Sequence, residues 1–103
     1  MKQIQQGDVL LKGIKELPEG VKLVKRVKGI LTVMHGESGH NHTIAEKGAR
    51  LLELDGNLYL EVLEPVAITH EEHKALPIPE GIYTIGRVKE YDYFQQSERF
   101  VVD

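Results

Sequence analysis

The chain has 103 residues, of which 41% are hydrophobic and 28% charged, and its formal net charge is −3. These values are typical of one globular domain, and they disfavour a disordered chain or a nucleic-acid-binding protein, whose surface is usually basic. The absence of cysteine excludes disulfides, thiolate metal sites and thiol nucleophiles, so any metal ion must be held by nitrogen and oxygen ligands.

The chain carries no signal for a membrane or for secretion. No apolar run reaches the roughly 18–20 residues that span a bilayer. The polar start, MKQIQQGD, lacks the apolar region of a secretory signal. We therefore expect a single cytoplasmic domain over residues 1–103, with no membrane partner.

Turn residues recur roughly every 8–12 residues, and the runs between them alternate apolar and polar residues as strands do. The predicted strands are 8–12, 22–27, 30–34, 41–46, 66–69, 82–89 and, closing the sheet, 99–102. The clearest hairpin is LLELDGNLYLEVLE, because Asp55-Gly56 between alternating runs is typical of a type I′ turn. We predict an all-β fold, a small barrel or sandwich of short antiparallel strands with at most one or two short helical turns.

The segment VKLVKRVKG, residues 21–29, is locally basic. It contains four basic residues: Lys22, Lys25, Arg26 and Lys28. Lysines on an edge strand deter edge-to-edge pairing, and this is the role we expect. The alternative is binding of phosphate or of an acidic partner. The net negative charge disfavours nucleic acid as that partner, although the basic stretch 22–28 leaves it open.

All five histidines lie in two short stretches, HGESGHNHT and ITHEEHKAL. His40 and His42 would project from the same face of a strand and could converge on one ion. His70 and His73 are three residues apart, a spacing that puts two side chains on one face in a helical turn. Thr69 with Glu72 fits a capping box. We therefore expect one helical turn within 69–75, ended by Pro77.

Antiparallel pairing of the hairpin between the two stretches could bring the histidines together. Imidazole nitrogens, with or without a carboxylate, suit a divalent transition metal: Zn, Fe, Ni, Mn or Cu. The predicted ligands are His40, His42, His70 and His73, with Glu46 and His35 as further candidates. The alternative is a set of exposed loop histidines or a pH-responsive cluster.

Four residues are candidates for catalytic proton transfer. Glu71 and Glu72 adjoin the predicted ligands, and Glu37 lies between two glycines that would let its carboxylate turn inward. Tyr83 lies on a predicted strand next to the turn PEG. The alternative for Glu71 and Glu72 is solvation near a helix N-terminus, and for Tyr83 it is packing.

Two short segments resemble the cupin family. HNHTIAE, with His40, His42 and Glu46, resembles the H-x-H-x3-E part of the first cupin motif, and PEG at 79–81 is similar to the P-x-G turn of the second. The resemblance implies a β-barrel whose mouth holds the ion. The chain has Thr84 where cupins carry a histidine, so an H-x-x-H histidine would replace that ligand. The order of GDVLL, G-H-x-H and H-E-E-H is also similar to small uncharacterised bacterial proteins.

Three kinds of function fit these residues. The first is a metal-binding β protein, which would act as a metalloenzyme on a small polar substrate. The second is a metal-free phosphodiesterase that uses histidines as acid and base, with Lys22 or Arg26 holding the phosphate. The third is a non-catalytic module that senses metal or pH. We also expect a homodimer, because small β domains with exposed edges often pair symmetrically.

Overall fold

The computed structural model describes residues 3–35 and 40–88. Within these ranges the secondary structure consists of β-strands and turns, with no helix. The strands are β1 (Gln3–Gln6), β2 (Val9–Ile14), β3 (Lys22–Val24), β4 (Leu31–Met34), β5 (His42–Ile44), β6 (Ala49–Leu54), β7 (Asn57–Val62), β8 (Val66–His70), β9 (His73–Ile78) and β10 (Gly81–Arg87).

The strands form two antiparallel sheets. The larger has the order β1-β2-β10-β7-β6-β3, and the smaller has the order β4-β5-β8-β9. Among the described residues each sheet ends in an edge strand on both sides, so this part of the chain forms a sandwich of two sheets and not a closed barrel. This confirms the all-β prediction.

One apolar core lies between the sheets. The period-two alternation of each strand turns its apolar side chains to this interior. Buried residues from both sheets form a single cluster, among them Leu11, Leu51, Leu60, Val33, Ile44 and Ile68. Because both sheets contribute to one cluster, the ends of their strands are held at fixed positions relative to one another.

The hairpin predicted from the Asp-Gly turn is confirmed. Asp55 and Gly56 have φ angles of 50° and 83°, as a type I′ turn requires, and Leu54 pairs with Asn57 across it. Six other predicted strands are present with ends shifted by a few residues. β1 was not predicted, because its run QIQQ is polar although Gln5 and Gln6 are buried.

The predicted helical turn within 69–75 is wrong. His70 ends β8 and His73 begins β9, so Glu71 and Glu72 form a hairpin turn and the two histidines face each other across it. The hydroxyl of Thr69 bonds that of Thr43 on β5 at 3.2 Å instead of capping a helix. Pro77, expected to end the helix, lies on the edge strand β9, where its missing N–H is tolerated.

Some predictions fall on residues outside the described ranges. They are the strand at 99–102, the far end of 82–89 and the candidate catalytic residue Glu37. Within the described ranges, no helix is long and apolar enough to cross a bilayer.

Candidate functional site

His40, His42, His70 and His73 form one contiguous group, called the histidine cluster below. The ring of His70 lies centrally, with centroids 4.3 Å from His42, 4.7 Å from His73 and 6.0 Å from His40. The rings of His42 and His73 are nearly parallel at 6.0 Å. The two histidine stretches therefore meet within a single chain.

Strand pairing explains why the four rings come together. Thr43 on β5 pairs with Thr69 on β8, which places the residues next to each of them at the same end of the smaller sheet. The hairpin between β8 and β9 then sets His70 opposite His73. A two-residue hairpin turn therefore brings His70 and His73 together, where a helical turn had been expected to do so.

His42 is the buried member of the cluster, with 1% of its surface exposed. Its Nδ1 lies 2.9 Å from Oε1 of Gln6. The amide nitrogen of Gln6 donates to the carbonyl oxygens of Ile68 at 3.1 Å and Lys74 at 2.8 Å. Because those two bonds fix the amide nitrogen, the oxygen faces His42, and His42 Nδ1 must carry the hydrogen.

The other nitrogen of His42, Nε2, lies 3.1 Å from Oδ1 of Asp8. Burial lowers the pKa of His42, and this effect outweighs the opposing hydrogen bond with Asp8. In neutral His42 with its hydrogen on Nδ1, Nε2 presents a lone pair to a carboxylate oxygen. Two acceptors at this separation repel each other unless a cation lies between them.

Asp8 is held in place by groups from the end of β10. Its Oδ2 accepts a hydrogen bond from Arg87 at 2.5 Å, and its backbone carbonyl accepts one from Val88 at 2.8 Å. Arg87 also donates to the carbonyl oxygen of His35 at 2.9 Å. The Asp8 side chain is 34% exposed, so the Asp8–His42 pair is accessible to solvent from the Asp8 side.

His70 uses both ring nitrogens in hydrogen bonds. Its Nδ1 accepts from the backbone N–H of Glu72 at 3.0 Å, so its Nε2 carries the hydrogen and donates to the carbonyl oxygen of His40 at 3.1 Å. These bonds link the two histidine stretches. His70 would have to give up one of them before it could bind an ion.

His40 faces the hairpin turn. Its Nε2 lies 3.2 Å from a carboxylate oxygen of Glu71, and its Nδ1 lies 3.6 Å from one of Glu72. The second distance is too long for a hydrogen bond, and Nδ1 is buried without a hydrogen-bond partner. The two candidate proton carriers Glu71 and Glu72 are therefore brought to the cluster, although both are well exposed.

His73 packs over the turn between β1 and β2. A Cβ added to Gly7 would lie 2.5 Å from Nε2 of His73, so this ring nitrogen sits directly on the residue that precedes Asp8. Only glycine leaves room for it. The contact brings a second imidazole ring, after that of His42, to the chain segment that carries the Asp8 carboxylate.

The remaining predicted residues lie away from the cluster or contact it only through the backbone. Glu46 follows β5, where its carboxylate accepts from the backbone N–H of Ala67 at 3.4 Å. His35 is exposed, and its carbonyl oxygen is bound by Arg87. Tyr83 is buried and donates its hydroxyl to the carbonyl oxygen of Pro79 at 2.7 Å. Tyr83 precedes Arg87 by four positions on β10, about 13 Å along the strand.

The sequence analysis missed Gln6, Asp8 and Arg87. Asp8 had been taken only as the first residue of the predicted strand 8–12, and Gln6 as part of a polar N-terminal run. Gln6 and Asp8 lie 36 and 34 residues from His42 along the chain, and Arg87 lies 79 residues from Asp8, so no local pattern marks these contacts. One signal was present in the sequence: Gly7, which lets another side chain approach closely, directly precedes Asp8.

In the described ranges, no three histidine or carboxylate side chains are already arranged around one point as a metal ion requires. The spacing of the Asp8–His42 pair does fit two ligands of one ion. Two ligand atoms of one ion at 2.0–2.2 Å lie about 2.9–3.5 Å apart, and the Nε2–Oδ1 distance falls in that interval. Further ligands would have to come from rotation of the neighbouring rings.

The fold and site define a two-sheet antiparallel β domain with a histidine cluster at one end. Residues 5–88 match the family model of DUF8820, a domain of unknown function, and the chain belongs to that family. The matched region contains all four cluster histidines together with Gln6, Asp8 and Arg87. No curated protein and no solved structure matches the chain. The cupin resemblance gains no support, because Glu46 does not join the histidines.

Proposed function

We propose that this domain binds a divalent transition-metal ion, one of Zn, Fe, Ni, Mn or Cu, at the histidine cluster. His42 Nε2 and Asp8 Oδ1 are the central ligands, and His73, His70 and His40 surround them. The observation that carries the proposal is the 3.1 Å contact between His42 Nε2 and Oδ1 of Asp8, in a ring whose Nδ1 already faces Gln6. In neutral His42 this contact sets two acceptors against each other. A bound cation turns that repulsion into two favourable contacts.

The hydrogen-bond partners of His42 and Asp8 support the proposed metal site. Histidines that bind a metal usually donate their second ring N–H to a fixed acceptor, which sets the tautomer and the ring orientation. Gln6 is such an acceptor, and it is itself fixed by two carbonyl oxygens. Arg87 binds Oδ2 of Asp8, so that Oδ1 is the oxygen that faces His42.

The site would activate a small polar molecule or water at the ion. An ion held by two or three protein ligands keeps open positions, which is the condition for polarising a substrate or generating hydroxide. A cleft of about 380 Å³ adjoins His70 and is lined by polar side chains: Asn41, Thr43, Thr69, His70 and Glu71. It contains no lysine or arginine, so it favours an uncharged polar molecule over a phosphate.

The metal-free phosphodiesterase is less well supported. Arg26 donates to three backbone carbonyl oxygens, those of Gly29, Glu46 and Ala49, and so is engaged within the fold. Lys22 lies on β3, four strand spacings from β2 in the larger sheet, or about 19 Å. Arg87 lies beside the cluster among the described residues, and both of its terminal nitrogens are already bonded.

The test is the metal content of the full chain, purified without a histidine tag or a nickel column and measured by mass spectrometry. We expect near-stoichiometric metal in the parent, little in Asp8→Asn or His42→Gln, and the parental amount in His35→Ala. The last variant is the matched control, because it removes an exposed histidine outside the cluster. Circular dichroism confirms that each variant is folded.

Two results would overturn the proposal. One is a parent protein without metal that takes up no Zn, Mn, Ni, Cu(II) or Fe(II). The other is metal that persists in Asp8→Asn and in His42→Gln. An acid–base role of the Asp8–His42 pair would then become the better explanation. The cytoplasmic location and the homodimer stay predictions.

A further inference from the structure

The edge of the larger sheet at β3 combines exposed apolar side chains with positive charge. Among the described residues three large apolar side chains are exposed, and two of them, Leu23 at 61% and Val27 at 70%, lie within five residues of one another. Lys22, Lys25 and Lys28 between and around them are exposed as well. A purely protective edge would need the lysines and not the apolar side chains.

The edge also has unpaired backbone. In the described part of the chain, β3 pairs only with β6 and ends the order of the larger sheet. Beyond β3, Val27 and Ile30 form a tight hairpin with reciprocal backbone hydrogen bonds of 3.0 Å. Arg26 fixes this hairpin to the carbonyl oxygens of Gly29, Glu46 and Ala49. The surface is therefore already formed before any partner binds.

Lys28 occupies the tip of this hairpin in the left-handed region, with φ of 54°. Asparagine, aspartate and glycine adopt that conformation with less strain than lysine does. A strained residue at a defined position is a reason to look for a function. At Lys28 the feature that would serve a function is the positive charge, which lies at the end of the exposed apolar edge.

We propose that the β3 edge with hairpin 27–30 binds an extended, acidic segment of a partner protein, which adds to the sheet as a further strand. Its backbone would pair with β3, its apolar side chains would cover Leu23 and Val27, and its carboxylates would meet Lys25 and Lys28. Glu53 lies opposite Lys22 and offsets that charge. A second copy of this chain is disfavoured as the occupant, because it would set lysines against lysines.

The test is NMR titration of the ¹⁵N-labelled full chain with a blocked probe peptide of alternating glutamate and valine, seven residues long. We expect amide shifts confined to residues 22–30 and the adjoining β6. The same peptide N-methylated at alternate residues should not bind, because it cannot form the ladder of backbone hydrogen bonds. The lysine–valine counterpart should not bind either.

Variants separate apolar contact from charge. Leu23→Thr and Val27→Thr should each weaken binding about fivefold. Lys28→Asn should weaken it about two- to fivefold while leaving the fold at least as stable, because asparagine suits the left-handed position. Lys12→Gln, an exposed lysine on β2, is the control and should have no effect.

Several results would overturn the proposal. They are shifts elsewhere or none, equal binding of the N-methylated peptide, and tighter binding of a thymidine 15-mer, which would indicate a nucleic acid. Shifts that change with protein concentration alone would assign the edge to a second copy. None of these outcomes depends on the metal site.

Discussion

Asp8 and His42 meet across 34 residues of chain, with a carboxylate oxygen 3.1 Å from an imidazole nitrogen whose ring already donates its other N–H to Gln6. Two ionisation states can satisfy this contact. Either His42 is neutral and a metal ion lies between the two atoms, or His42 is doubly protonated and forms an ion pair with Asp8. The two states predict opposite responses to the same substitutions.

The first prediction concerns Asp8→Asn in metal-free protein. If His42 is neutral, the new amide NH₂ can donate to Nε2, and the repulsion between two acceptors is removed. We expect the free energy of unfolding to rise by about 1 kcal/mol, a shift of about 4–8 °C in the melting temperature at neutral pH with EDTA. The lost contact with Arg87 is partly exposed and offsets little.

The control for this experiment is Glu16→Gln, which removes an exposed carboxylate elsewhere. It should leave the melting temperature nearly unchanged. A fall in stability of Asp8→Asn alone would mean that His42 is charged in the folded protein. A charged His42 would have no lone pair on Nε2 to offer to a metal ion.

The second prediction is the pH dependence of stability. Burial lowers the pKa of His42 below its ordinary value, so between the folded and unfolded pKa values the unfolded chain binds the extra proton. Stability from this group is fully present above about pH 6.5 and is lost as the pH falls through that value toward the lowered pKa. The slope is at most about 1.4 kcal/mol per pH unit.

Urea unfolding with EDTA at several pH values between 5 and 8 would measure this slope. The comparison is with His42→Gln, because the difference between the two proteins removes the contributions of the other histidines. The parent should lose more stability than the variant on acidification. A parent that gains stability relative to the variant would show that the pKa of His42 is raised.

The third prediction separates Tyr83 from the site. Tyr83 donates its hydroxyl to Pro79 at the end of β10 that lies away from Arg87, and burial raises its pKa. Tyr83→Phe leaves the Pro79 carbonyl oxygen without this donor and should cost about 1–1.5 kcal/mol in urea unfolding. Metal affinity and any metal-dependent activity should equal those of the parent. A loss of either without a loss of stability would return Tyr83 to the catalytic candidates.

Sequence analysis succeeded where the determining interactions are local. Asp55-Gly56 specifies its own turn, because both residues tolerate positive φ and the flanking runs alternate. It failed at His70 and His73, since a spacing of three suits both a helical turn and a two-residue hairpin. The β-branched residues Val66 and Ile68 favoured the hairpin, and the capping pattern at Thr69 was misleading.

From the sequence, the two histidine stretches could meet, but whether they do so within one chain was left open; the pairing of β5 with β8 brings them together. The acceptors that define the centre were not predicted. Gln6 contacts His42 from β1, and the polar sequence of that strand gives no indication that Gln6 is buried. Its two bonds to Ile68 and Lys74 depend on how β8 and β9 pack against β1. Such contacts arise only when both sheets are assembled, so no single stretch of sequence contains them.

The last prediction tests whether His73 belongs to the metal site. Gly7 and Gly56 both have positive φ, 58° and 83°, so alanine strains either turn by about 1–2 kcal/mol. They differ in their surroundings: a Cβ at Gly7 would lie 2.5 Å from His73 Nε2, whereas a Cβ at Gly56 would meet nothing within 4 Å. Gly56→Ala is therefore a matched control for Gly7→Ala.

We expect both variants to lose similar stability from backbone strain, with an additional loss in Gly7→Ala from displacement of the His73 ring. Metal affinity, measured by competition with a chromogenic chelator, should fall about tenfold or more in Gly7→Ala and stay at the parental value in Gly56→Ala. An equal fall in both would trace the loss to instability alone. Parental affinity in Gly7→Ala would exclude His73 as a ligand and leave the ion to His42, Asp8 and the rings of His70 and His40.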